Sequence, residues 1–464
     1  MTKLSSLLVF VTLLLASPAS GQMSLDVITV VPIQNLIEAP ITFHQTAQSS
    51  HNWNQIERNN SNSKLDFQRF AVAPNGNWLA SFVAAEDTAD GETLSGRFMC
   101  LYEFATQIWN CHQMGEGAEP ASANVLHWSP DSQFIAFTES YPDGDESDLW
   151  IFHADSGEVI NWTDDDLIDT GDETCSPKYP CDLSPRWTAE GGLYFFKYAA
   201  DENSSEVTLF HVSSSPATLI DAFKGNTLPE PPRRVIEIPE IDGQTPDVLE
   251  SEYNNLDGTA SISSSRPLLS VFTVDSQQFS APVTSVWIFD LAQEKVVSLF
   301  TLSELTSSFP DWLPPEVMIT SMKWNEDLTL TLLTVQGIRD QRTGFWQLPL
   351  IWNVDAKTGN IVDESVYSDY SSLSEAVNSR LSPIITLPMN GVVLPSGEWL
   401  YTNFQSGNLL LLSTPQLLQS EPVILHSAEF LFDYPPGPAT YGINGNILRM
   451  YVYGYLYTLR ITGV

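Results

Sequence analysis

The chain has 464 residues, 43% hydrophobic and 11% aromatic, enough apolar material for a large core. Fifty-seven Asp and Glu against twenty Lys and Arg leave a formal net charge of −37, which repels phosphate backbones and anionic lipid and argues against both as partners. Thirteen Trp and thirty Pro point to a turn-rich β protein.

Residues 1–21 read as an export signal. Lys3 gives a positive start, Leu4 to Ala16 a short apolar run, and Ala19-Ser20-Gly21 small residues ahead of Gln22. The run is too short to span a bilayer comfortably, so the expectation is a secreted or periplasmic protein without stable membrane insertion. A retained N-terminal anchor is the competing reading. Residues 22–67 predict one strand, Val27 to Ile33, and then a polar surface arm carrying His44, His51 and the Asn-rich Asn59 to Asn62.

The repeating unit is clearest from Leu126 to Thr163. Leu126-His127-Trp128, Phe134-Ile135-Ala136-Phe137, Leu149-Trp150-Ile151-Phe152-His153 and Val159-Ile160-Asn161-Trp162 are four short aromatic and β-branched runs. Ser129-Pro130-Asp131-Ser132 supplies the first turn and Asp155-Ser156-Gly157-Glu158 the last. One such meander cannot bury both faces alone and needs neighbours of its own kind. Phe70 to Phe82, Arg186 to Phe195, Met322 to Leu330 and Val393 to Tyr401 repeat its first hairpin. Third strands align at Trp150 to His153, Thr208 to His211, Trp287 to Asp290 and Leu350 to Asn353, each ending in a polar residue placed to cap a turn. Fourth strands are expected at Ile108 to Cys111, Val159 to Trp162, Thr218 to Ile220, Val296 to Phe300 and Ile361 to Val366.

The spacing of roughly 40–60 residues is that of propeller blades. Six units start near residues 68, 124, 183, 233, 317 and 390, and a seventh is suggested by Glu429 to Phe432 and Ile447 to Ile461. That unit lacks a strand, which Val27 to Ile33 would supply. The expected fold is therefore all-β: a β-propeller over 68–464 of four-stranded blades, seven in number with six as the alternative, its ring closed by the N-terminal strand. Lys224 to Arg266, Ser303 to Glu316 and Ser368 to Pro388 interrupt the pattern as insertions, the last two with signals for short helices.

Four Cys form two close pairs. In an exported protein the local disulfides Cys100–Cys111 and Cys175–Cys181 are the natural reading, among the three pairings that four Cys allow. Neither pair has the Cys-x-x-Cys spacing of a metal site.

Trp128-Ser129-Pro130-Asp131, with Ile135-Ala136-Phe137 and Asp148-Leu149-Trp150-Ile151, resembles the repeat of TolB-type propellers and the propeller domains of prolyl oligopeptidase-like enzymes. Trp352-Asn353-Val354-Asp355-Ala356-Lys357-Thr358-Gly359 is similar to the end of a WD-repeat blade, with Asn in place of the usual Asp and no Gly-His dipeptide. The resemblance implies a propeller engaged in protein–protein interaction.

Few residues point to chemistry. No Gly-x-Ser-x-Gly nucleophile elbow occurs, which argues against a serine peptidase. His153 and His211 occupy equivalent turn-capping positions, and His44, His51, His112 and His426 are scattered. His127 lies on an innermost strand, placed to face a central channel. Asp143 to Asp148 and Asp164 to Glu173 cluster oxygen ligands that suit Ca²⁺, yet neither matches the twelve-residue calcium loop. Trp312, between Pro310 and Pro314, is placed to stack on a sugar ring or to pack its own loop. Asn59, Asn161 and Asn203 begin glycosylation sequons. No catalytic residue, metal or cofactor is assigned. The expected function is a monomeric, non-enzymatic platform for a protein partner, small ligand or glycan. The alternative is a secreted carbohydrate-active enzyme, a polysaccharide lyase or glycosidase, using channel-facing acids or His127.

Overall fold

The computed structural model describes residues 24–45, 51–55, 63–89, 92–115, 122–123, 126–140, 148–163, 181–188, 191–200, 205–213, 216–223, 232–238, 260–262, 268–274, 284–301, 317–324, 329–340, 344–355, 391–393, 399–402, 408–412, 423–427, 440–452 and 454–462. Among them the chain forms a succession of small, mainly antiparallel sheets.

Strand β1 (Ser24–Pro32) leads into the short helix α1 (Ile33–Ile37) and then β2 (Ile41–His44). Four antiparallel strands follow: β3 (Ser63–Val72), β4 (Trp78–Ala89), β5 (Glu92–Glu103) and β6 (Ile108–Gly115). β2 adds to the outer edge of β6 in parallel, making a five-stranded first sheet. The second sheet holds β7 (Ser122–Ala123) and β8 (His127–Trp128), which both pair with β9 (Phe134–Ser140), then β10 (Leu149–His153) and β11 (Val159–Asn161). The third comprises β12 (Cys181–Trp187), β13 (Leu193–Ala200) and β14 (Ser205–Ser213), then helix α2 (Pro216–Phe223) and β15 (Arg233–Ile238).

The fourth sheet is β16 (Ala260–Ile262), β17 (Leu268–Val274), β18 (Thr284–Asp290) and β19 (Lys295–Thr301). The fifth is β20 (Val317–Trp324), β21 (Thr329–Asp340) and β22 (Gly344–Asp355). The sixth is β23 (Gly391–Val393), β24 (Trp399–Thr402), β25 (Asn408–Leu412) and β26 (Val423–Ser427). The last three strands, β27 (Thr440–Asn444), β28 (Ile447–Val452) and β29 (Tyr455–Thr462), are completed by β1, which pairs antiparallel with β29 from Ser24 opposite Thr462 to Pro32 opposite Tyr455.

The first strands of successive sheets touch: β3 meets β7 and β8, β8 meets β12, β12 meets β16, β16 meets β20 and β20 meets β23. β26 touches β1, and β27 and β28 touch β3, so the last sheet also lies against the first. The core is made in the slabs between sheets. Ala71, Ala80, Phe82, Met99 and Leu101 of the first sheet pack on Leu126, Trp128, Ile135, Phe137 and Phe152 of the second. Phe134, Ala136, Leu149 and Ile151 pack from the second sheet onto Leu193, Phe195, Val212 and Leu219 of the third. Alternation along each strand sends neighbouring side chains to opposite faces, so Phe134 and Ile135 serve different slabs.

Cys100 and Cys111 are register partners on β5 and β6 and form a disulfide buried in the slab between sheets. Such a bond fits an oxidising compartment. No helix among the described residues is long and apolar enough to cross a membrane. Breaking the bond with a Cys100→Ser, Cys111→Ser double variant is expected to cost about 2–3 kcal/mol by release of the short loop, read from the shift in denaturant midpoint. Non-reducing peptide mapping is expected to recover this pair and, separately, Cys175 with Cys181. The second pair lies outside the described side chains, as do residues 1–21, 303–316 and 361–390.

Three boundaries differ from the sequence reading. The strand expected at Thr218 to Ile220 is the middle of α2, where Leu219 is buried and Ile220 and Phe223 pack beside it. The unit expected to start near residue 233 is instead the closing strand β15 of the third sheet, and the fourth sheet opens at Ala260. The insertion from Lys224 to Arg266 thus contains two strands. The boundary at residue 68 moves to Ser63, and the supposed arm contributes β2 to the first sheet.

Candidate functional site

The innermost hairpins of the first three sheets are built alike. In each, a backbone N–H donates back across the turn, from Ala73 to Trp78, from Ser129 to Phe134 and from Thr188 to Gly192. The fourth turn residue closes onto the first, as Gly76 on Ala73, Ser132 on Ser129 and Gly191 on Thr188. That residue takes positive φ each time, 66° at Gly76, 61° at Ser132 and 86° at Gly191. Ser132 is strained there, and its hydroxyl offsets the strain by accepting the Asn75 N–H of the preceding sheet at 3.0 Å.

The strands entering these turns are joined by a second repeated device. The Trp128 indole N–H donates to the Ala71 carbonyl at 3.0 Å, and the Trp187 indole N–H donates to the His127 carbonyl at 2.9 Å. Ala71, His127 and Arg186 therefore hold equivalent places on three consecutive innermost strands. In the second and third sheets those places carry polar side chains that meet. Arg186 Nη1 lies 2.7 Å from His127 Nε2 and also donates to the Pro185 carbonyl at 2.8 Å. A guanidinium has no acceptor, so the imidazole takes this bond with a lone pair. Burial first, and the Arg186 cation second, hold His127 well below its ordinary pKa. The result is a neutral imidazole beside a fixed positive charge, on two innermost strands.

Sequence reasoning placed His127 at this wall but found it no partner. The repeat already aligned Arg186-Trp187 with His127-Trp128, and the step not taken was to set the two aligned side chains against each other. Arg69 was also passed over. It stands at φ 47° beside the β3 bulge between Gln68 and Phe70, a feature that turns a side chain out of the regular alternation.

The other singled-out residues do not gather at this place. His153 Nδ1 is 2.9 Å from Ser156 Oγ, the expected turn cap, and its ring stacks on Phe134. Asp290 caps likewise, accepting the N–H groups of Ala292 and Gln293 at 2.9 Å each. His211 stacks on Tyr194 at 4.4 Å, and helix α2 lies where a fourth strand was expected. His51 lies 3.1 Å from Asp87, and His44 stacks on His112. Asn161 donates to Asp148 at 2.6 Å and Thr163 accepts the Leu149 N–H at 2.8 Å, so the middle sequon is tied into the second sheet. Among the described residues no group of three or more His, Cys, Asp or Glu is arranged to hold a metal ion. The acidic segments 143–147 and 164–173, Trp312, Asn59, Asn203 and the His426 side chain lie outside the described residues.

No family model matches the chain. No curated protein matches it in sequence. Solved structures resemble it in shape. A polysaccharide lyase, Uly1, superposes with a TM-score of 0.46 at 8% identity, over 85% of this chain and 89% of that one. The β-propeller domain of the trilobed protease from Pyrococcus furiosus, described as having an open velcro topology, gives 0.40 at 9% identity over 85% and 95%. A chain of the mitotic checkpoint complex gives 0.41 at 12% identity over 88% and 97%.

Proposed function

We propose that the protein is an exported β-propeller of seven blades whose role is to hold a partner rather than to transform a substrate. The reading of seven blades rests on the seven sheets among the described residues and on the contact of each with its neighbour, the last with the first. β1 closes the ring as the outer strand of the seventh blade, and residues 1–21 direct export. TolB-type propellers remain the kind it resembles in its repeat. In this reading the binding surface belongs to the stretch between β15 and β16 and to 303–316 and 368–388, which the sequence marks as insertions, since loops on a rigid scaffold are where recognition concentrates.

The observation that carries this reading is the state of His127. Its ring accepts from Arg186, its carbonyl accepts from Trp187, and its position repeats that of Ala71. It joins two blades, and an imidazole engaged in this way is poorly placed to shuttle protons. One other reading rests on the same pair, a secreted enzyme acting on an acidic polysaccharide, in which a substrate carboxylate draws Arg186 off the ring and so frees the neutral His127 to take the proton.

One experiment separates them. Mature protein, residues 22–464, is used as bait in culture supernatant, and the captured partner is purified and bound again as a defined pair. In parallel, a panel of acidic polysaccharides is assayed for release of new chain ends by the native protein and by His127→Gln. The platform reading expects reconstituted one-to-one binding and no depolymerisation. Depolymerisation that His127→Gln abolishes, with the circular dichroism unchanged, overturns it in favour of the enzyme.

A further inference from the structure

Among the described residues β2 is the outermost strand of the first sheet, so one of its edges faces away from β6. Trp109 of β6 donates its backbone N–H to the Pro40 carbonyl. Successive residues of a strand turn their backbone groups to opposite sides. Pro40, Thr42 and His44 therefore address β6, and Ile41 and Phe43 address the outer edge. A row of outward N–H and C=O groups is a template for a further strand. At Phe43 that template is already filled, by a side chain. Asn54 Oδ1 accepts the Phe43 N–H at 2.9 Å, and Asn54 Nδ2 donates to the Phe43 carbonyl at 2.9 Å. One carboxamide thus makes the two bonds that the backbone of a neighbouring strand would make. An Asp there would have no donor for the carbonyl, and an Ala would have neither group.

We propose that Asn54 is an edge guard: it occupies the outer edge of β2, and without it that edge pairs with the β2 edge of a second copy of this chain. This holds whatever the protein binds.

The guard is held in place by its neighbours. Trp53 is buried, and its ring fills the space over Gly96, where a Cβ would stand 2.6 Å from Trp53 Cζ2. That ring meets Phe98 edge-on at 5.4 Å between centroids, and Phe98 meets Phe43 in the same way at 4.9 Å. Upstream, the Gln45 side chain donates to the His51 carbonyl at 2.9 Å, and His51 lies 3.1 Å from Asp87 on β4. Asn54 itself is exposed, so apolar burial does little to hold it where it is.

Charge points to the occupant. The chain carries −37, and two copies repel wherever their acids meet. Residues Ala39 to Gln45 include no acid, so they form a strip on which two copies approach without that repulsion. Antiparallel pairing of Ile41 with Phe43 of the second copy uses the outward groups of both strands. It also sets Thr42 directly opposite its own counterpart across the two-fold axis.

The test is sedimentation velocity of the purified mature protein over about a ten-fold range of concentration, for the native chain, Asn54→Ala, and Asn54→Ala combined with Thr42→Lys. Thr42 is exposed, and two lysines facing each other across the axis would repel at that edge. The native protein and the double variant are expected to sediment as one chain throughout. Asn54→Ala is expected to shift towards two chains as its concentration rises, with its circular dichroism unchanged. An Asn54→Ala protein that stays monomeric, or a native protein that already sediments as two chains, overturns the proposal. So does association that Thr42→Lys leaves intact, because the contact then lies on another surface. Loss of the native spectrum in Asn54→Ala overturns it too, since the amide would then support the fold rather than guard an edge.

Discussion

Gly442→Ala is expected to be among the most damaging single substitutions in the chain. Gly442 lies in β27, the strand that touches β3 across the junction of the last and first sheets. A Cβ at this position would stand 1.8 Å from the Ala73 carbonyl oxygen and 2.7 Å from the Gly76 nitrogen, both main chain and neither able to swing aside. The junction would have to part, and its hydrogen bonds are concentrated at this spot. Ile443 N–H donates to the Pro74 carbonyl at 2.8 Å, Val72 N–H to Thr440 Oγ1 at 2.9 Å and Asn444 to Asn77 at 2.6 Å. Arg449 also donates to the Gly76 carbonyl while its guanidinium covers the Phe104 ring. Overpacking of this sort costs about 1–3 kcal/mol, and each bond lost adds about 1 kcal/mol. The denaturant midpoint should therefore fall by the equivalent of at least about 3 kcal/mol. Gly445→Ala, three residues on, is the control: nothing lies within 4 Å of its Cβ position, and only its φ of 59° resists a side chain. It is expected to cost about 1–2 kcal/mol. Equal losses in the two variants would show that the junction does not bear on stability.

A larger effect is expected from deleting residues 22–45. Leu25, Ile33, Leu36 and Phe43 are all buried, and at about 1.5–3 kcal/mol each their burial is worth on the order of 10 kcal/mol before the ordering entropy of the segment is set against it. Trp109, fully buried on β6, would lose the Leu36 carbonyl that accepts its indole N–H at 2.8 Å and the Pro40 carbonyl that accepts its backbone N–H. β29 would be left as a bare edge, a template for pairing with other chains. The truncated protein should be recovered aggregated, or unfold many degrees below the native chain in a thermal scan. A monomer with the native melting temperature would mean that the segment merely decorates the sheets.

Local chemistry was legible in the sequence wherever it decided the structure. Ser129-Pro130-Asp131-Ser132 and Ala73-Pro74-Asn75-Gly76 announce their turns, and the strands on either side follow within a residue or two. That an N-terminal strand completes the last sheet was also readable, because the last unit was visibly one strand short, but the strand is Ser24–Pro32 and Ile33, expected at its end, opens α1. Non-local choices were not readable. Thr218-Leu219-Ile220 suits a strand in isolation, and only Pro216 at the first helical position and the i, i+4 pair Leu219 and Phe223 mark α2. β2 is four residues of mixed character whose strand state depends on finding the β6 edge. Arg186 meets His127 from 59 residues away; the repeat aligns the two positions, but only the stacking of sheets brings their side chains into contact.

The ladder joining Ser24–Pro32 to Tyr455–Thr462 has a bearing on how the molecule comes into being. Among the described strands the first in sequence has the last as its mate, so it waits unmated while the strands between them pair. Closing so long a loop costs little more than closing a shorter one, because the entropy grows only with the logarithm of length. The delay matters more than the energy. Maturation should end with a late, first-order step in which the two ends meet, and a nascent molecule caught before it offers an open flank to any chaperone that recognises unpaired backbone.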